Sequence, residues 1–109
     1  MIGKATAMMK RNIGMHTSAE DAKANILAYL AQHCTDASSL ATKSTIGYAA
    51  NPGYNFKSPQ GAAFAVAKIV RQLEDSGFVR HESRSHPIFR RGHYITAKGL
   101  EAHSLIASQ

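Results

Sequence analysis

Apolar residues recur at three- and four-residue spacing along three stretches of the chain, then give way to a shorter, strand-like pattern. Ala22, Ile26, Tyr29 and Leu30 form the first run, and their spacing predicts an amphipathic helix over 19–33 with those side chains inward. Thr17 and Glu20 ahead of it have capping-box spacing. Asp36 is a second N-cap candidate. It predicts a short helix over 37–45 with Leu40 and Ala41 inward, which Ile46, Tyr48 and Ala49 would extend. Ala62, Val66, Ile69, Val70 and Leu73 mark a third helix over 59–76. Ser58 caps its first N–H groups, Pro59 suits its first position, and Gly77 suits the left-handed residue that closes it.

Past Gly77 the pattern predicts a strand from Phe78 to Glu82, a turn from Ser83 to Pro87 and a returning strand from Arg91 to Ile95. A lone hairpin is marginal in water. This one is therefore expected to pack on the third helix through Phe78, Val79, Tyr94 and Ile95. Thr96 caps a last helix over 97–106. Between the second and third helices, Gly47, Asn51, Pro52, Gly53 and Asn55 predict a loop over 46–57. Residues 1–16 have weak periodicity and carry Lys4, Lys10 and Arg11; they read as an arm, flexible or docked on a partner. Residues 17–109 read as one domain of α+β class, mainly α: a three-helix core, a hairpin and a C-terminal helix.

Composition narrows the class. The chain has 109 residues and is 44% hydrophobic, which fits one folded domain and excludes disorder. No apolar run approaches the ~20 residues of a membrane helix, and residues 1–10 lack a signal-peptide pattern, so a cytoplasmic protein is expected. Cys34 is the one cysteine. It can form neither an internal disulfide nor a multi-cysteine zinc site, and it reads as a partly buried thiol at a helix end rather than a redox sensor. Thirteen Lys and Arg face seven Asp and Glu, a net charge of +6. A domain so charged attracts polyanions, since each neutralised phosphate releases counterions.

The chemistry of an enzyme is missing from the sequence. The acids are Glu20, Asp21, Asp36, Glu74, Asp75, Glu82 and Glu101, several of them in helix-capping or helix-surface positions. No Gly-rich phosphate loop follows a strand and no nucleophile elbow is present. His81, His86 and His93 share the hairpin, but no metal-ligand spacing accompanies them. They read as exposed histidines near phosphate, which would strengthen binding below about pH 6.5. Neither a cofactor nor a metal is expected.

Two motifs frame the hairpin: Gln72-Leu73-Glu74-Asp75-Ser76-Gly77-Phe78-Val79-Arg80 before it, and Arg91-Gly92-His93-Tyr94-Ile95-Thr96-Ala97-Lys98-Gly99-Leu100-Glu101-Ala102 after it. With the basic stretch between them they resemble winged helix-turn-helix regulators of the MarR and PadR kind, over roughly residues 24–106. The resemblance implies a sequence-specific transcription regulator, a repressor that occludes a promoter. It also implies a homodimer, because one helix reads few base pairs. The arm, the first helix and the last helix would build the dimer surface, with Ile26, Leu105 and Ile106 as candidates. The segment 46–57 departs from the resemblance, being longer than the short turn usual there.

A helix fits the major groove, and its first turns reach base edges. On the third helix the outward positions are Gln60, Gly61, Phe64, Lys68 and Arg71. Gln60 suits adenine, Gly61 lets the backbone approach, and Lys57 and Ser58 lie where a phosphate is favoured. Phe64 has two readings, touching a thymine methyl or packing beneath the long loop, the second preferred. From Arg80 to Lys98 the chain carries Arg80, Arg84, Arg90, Arg91 and Lys98 against Glu82 alone. Such a wing lies along the backbone or in the minor groove, whose potential attracts arginine; Arg84 is the first choice for the groove, with Arg90 and Arg91 on flanking phosphates. Tyr48, Tyr54 and Phe56 alternate with Lys43 and Lys57, a pattern that stacks unpaired bases or, as preferred here, pins the loop. The partner expected is double-stranded DNA. Two alternatives stand beside it: a component of a replication or plasmid and phage maintenance complex, and a protein-interaction module.

Overall fold

A computed structural model describes residues 17–84 and 90–108; the arm at 1–16, the tip of the hairpin and His86 lie outside them. Four helices and a two-stranded antiparallel sheet follow in the order α1 (Ala19–His33), α2 (Lys43–Ala50), α3 (Pro59–Asp75), β1 (Val79–Arg84), β2 (Arg90–Ile95) and α4 (Ala97–Ala107). The arrangement is that of a winged helix-turn-helix, α+β and mainly helical.

The cap of α1 is Ser18 rather than Thr17: its side chain accepts the N–H of Asp21 at 3.1 Å. Ala22, Ile26, Leu27 and Leu30 are its buried residues, while Tyr29 is only partly covered. Cys34 ends the helix, as expected, and is fully buried rather than partly so. Burial pushes its thiol pKa up, against a hydrogen bond with Ser39 that acts the other way; the thiolate that redox chemistry needs is thereby disfavoured.

The expected helix over 37–45 does not form. The Asp36 carboxylate accepts the N–H of Ser38 at 2.8 Å, a local turn that competes with helix, and also the Ser38 hydroxyl. Farther on, Ala41 donates to the His93 carbonyl at 2.9 Å and accepts from its N–H at 2.8 Å. This bridge adds one residue of extended chain to the sheet beside β2 and holds residue 41 out of a helix. Thr42 then caps α2, accepting from Thr45 N–H at 3.3 Å. Ile46 and Ala50, not Leu40, are its buried residues. With α2 reaching Ala50, the connection to α3 shrinks to residues 51–58.

α3 begins as expected, with the Ser58 hydroxyl accepting from Gly61 N–H at 3.1 Å and Pro59 in the first turn. Ala62, Val66, Val70 and Leu73 are buried. Gly77 stops the helix at φ +81°, a conformation most side chains resist. α2 meets α3 through Gly47: a Cβ there would lie 2.1 Å from the Ala62 carbonyl oxygen, so the crossing exists only because residue 47 lacks one.

The hairpin pairs Val79 with Ile95 through Arg84 with Arg90. Val79 and Ile95 are buried against the helices, and Phe78 and Tyr94 pack at the edge of the same core. The Thr96 side chain accepts from Gly99 N–H at 3.0 Å and starts α4. Ile26 is 1% exposed in that core, so it is removed from the candidates for a dimer surface. Leu105 and Ile106 remain exposed on α4.

Candidate nucleic-acid interface

The stretch from the start of α2 to the last turn of α3 carries positive charge and no acid. Between Asp36 and Glu74 the sequence has no acidic residue and four cations: Lys43, Lys57, Lys68 and Arg71. All four are exposed, and among the described residues none is ion-paired. The outward stripe of α3 is the expected one, with Gln60, Gly61, Phe64, Lys68 and Arg71 all exposed. Phe64 does not pack beneath the loop; it is 86% exposed. The loop rings pack on each other instead, Tyr48 and Tyr54 each edge-on to Phe56.

Along the other flank of α3 runs a groove of about 720 Å³. Thr42, Lys43 and Ser44 at the start of α2 form one wall, Ala63 and Glu74 of α3 the floor, and His81, Arg91, Gly92 and His93 of the hairpin the other wall. It therefore collects Lys43 and Arg91, 48 positions apart in sequence, beside the first N–H groups of α2. Sequence reading gave Lys43 no part in duplex binding. The Thr42–Lys43–Ser44 run was a usable signal, but it became legible only once Thr42, not Asp36, was known to cap the helix.

The wing does not present its arginines on one surface. Strand side chains alternate between faces. The register puts Val79, His81 and Ser83 with Ile95, His93 and Arg91 on the face that meets the helices. Arg80 and Arg90 fall on the opposite face, where the backbone of Arg84 is in register with Arg90. The expected ribbon of arginines is corrected accordingly: Arg91 joins the groove, while Arg80 and Arg90 lie on the other face. Lys98 is exposed, with its ammonium 5.8 Å from the centroid of the Phe78 ring. That places it at the Gly77 end of α3, about 26 Å of helix from Lys57.

His93 also departs from expectation. It is 4% exposed, and its Nε2 lies 3.0 Å from Glu74 Oε2. Burial pushes its pKa below the usual histidine value, and His81, with its ring centroid 5.0 Å away, acts in the same direction; the Glu74 charge and its hydrogen bond oppose them. His93 is thus a structural link between wing and helix, whereas His81 is exposed. Among the described residues no cluster of His, Cys, Asp or Glu is arranged to hold a metal, and no helix is long and apolar enough to cross a membrane.

The fold is that of a small winged helix-turn-helix domain, with an exposed cationic stretch that holds no acid between Asp36 and Glu74. No family model, no curated protein and no solved structure matches the chain.

Proposed function

We propose that the protein binds double-stranded DNA and regulates transcription as a homodimer, repressing by occupying a promoter. The observation that carries this reading is the exposed stripe of α3, lying in a stretch of 37 residues without an acid between Asp36 and Glu74. A helix exposed along its outer side, carrying cations and no acid until its last two residues, suits the major groove of a polyanion. In this reading Gln60 meets base edges, Lys57, Lys68 and Arg71 meet phosphates, and Lys43 and Arg91 hold a backbone phosphate at the groove beside α2. Leu105 and Ile106 on α4 supply the contact between protomers.

Selection of bound fragments from random duplex DNA, followed by footprinting, tests it. The expected result is an enriched motif with two-fold symmetry, and an affinity that falls steeply with salt. Enrichment of nothing, with binding indifferent to salt, would refute it.

A further inference from the structure

The aromatic side chains that duplex reading leaves unused gather at one edge of the helix-turn-helix unit. The Phe56 ring centroid lies 5.7 Å from that of Tyr48 and 4.7 Å from that of Tyr54. Phe56 is half-buried, while Tyr48 and Tyr54 keep 43% and 39% of their surface exposed. Phe56 Cδ1 is 4.0 Å from where a Cβ on Gly61 would stand, so its ring leans on the first turn of α3. Phe64 follows one turn later on the adjoining face, about 4.5 Å along the axis, and is the most exposed large apolar side chain among the described residues. The ring cluster at the first turn of α3 and Phe64 a turn along make an apolar strip, Phe64 having no ring contact with the others among the described residues.

An apolar strip left to water marks a surface that meets something. Lys57 follows Phe56 in sequence and Lys68 follows Phe64 by one helical turn, with no acid nearby in sequence. A partner fitting both features is polyanionic and carries flat apolar faces. The edges of paired bases offer a ring little beyond the thymine methyl. An unpaired base offers its whole π face. We infer that the strip is a stacking surface for unpaired bases, adjoining the duplex that α3 engages. The inference rests on the DNA-binding reading above and gives it a finer substrate: a junction of double and single strand.

The test compares the full chain on three labelled probes by fluorescence anisotropy: a blunt duplex, the same duplex with a six-nucleotide single-stranded extension, and the extension alone. The extended duplex is expected to bind at least about fivefold tighter than the blunt one, the gain of a single stacked base. Its binding should quench tyrosine emission, since the chain has four tyrosines and no tryptophan. Tyr54→Ala should lower the extended-to-blunt ratio to near one while blunt-duplex affinity stays within twofold of wild type. Phe64→Ala should lower the same ratio. Equal affinity of the wild type for blunt and extended duplexes would overturn this inference while leaving duplex binding intact. Failure on every probe would overturn both. Binding of the extension with none of the blunt duplex would keep the stacking surface and overturn the duplex reading. If Phe64→Ala left the ratio unchanged but converted a dimer to a monomer in sedimentation, the strip would be a self-association surface and the inference would fall.

Discussion

His93 on β2 donates its Nε2 proton to the Glu74 carboxylate at 3.0 Å, which ties the wing to the C-terminal half of α3. The contact has a pH signature. An unfolded histidine titrates near 6.5, and burial holds folded His93 below that. Between those values the unfolded chain binds more protons, so the His93 contribution is fully present above about pH 6.5 and is lost as pH falls below it. Unfolding free energy should drop by up to about 1.4 kcal/mol per pH unit more in wild type than in His93→Gln. Urea titrations from pH 7.5 to 5 measure the difference; parallel curves for the two proteins would refute it.

Gly47 and Gly61 should respond to alanine in opposite ways. At Gly47 the added Cβ meets the Ala62 carbonyl oxygen at 2.1 Å; backbone must move, and Gly47→Ala should lose about 3 kcal/mol or fail to fold. At Gly61 the nearest atom would be Ser58 Oγ at 3.6 Å. There the substitution should gain about 0.5–1 kcal/mol of helix propensity. Denaturant midpoints settle both.

The divided wing sets up a comparison of charges. Lys43→Ala with Arg91→Ala removes both cations of the groove and should weaken duplex binding alike for all sequences. The slope of log affinity against log salt should become shallower by about 1.8 if each holds one phosphate. Arg80→Ala, on the far face, should leave that slope unchanged. A larger effect from Arg80 than from the groove pair would place the DNA on the other side of the hairpin.

Leu105 and Ile106 are 65% and 42% exposed on α4. Replacing both with Asp should halve the mass seen in sedimentation equilibrium and leave the helical circular dichroism of the fold unchanged. A variant that still sediments with the wild type would remove α4 from the dimer contact.

Much of the fold is written in short-range terms. Ser58-Pro59 starting α3, Gly77 ending it and Thr96 starting α4 each depend on atoms within a few residues, so the sequence pattern located them. The inward stripe of α3 follows from its 3.6-residue period. Its outward stripe, and the acid-free stretch on which the DNA reading rests, are likewise visible in the order of residues alone.

The site required contacts between distant residues. Asp36 looks like a cap and turns the chain locally instead, because Ala41 pairs with His93, 52 positions away, and pairing fixes extended backbone. That one bridge moves the start of α2 to Lys43 and closes the groove where Lys43 and Arg91 meet. It also packs His93 inward, where an exposed histidine was expected. The pleat of β1 and β2 then sorts the arginines by parity, which composition cannot show. Local sequence determined where α3 begins and ends, where α4 begins and which side of α3 is polar. Only the tertiary structure decided which charges share a surface and that Phe64 stands free of the core, because burial and proximity are properties of the packed chain and of no single segment.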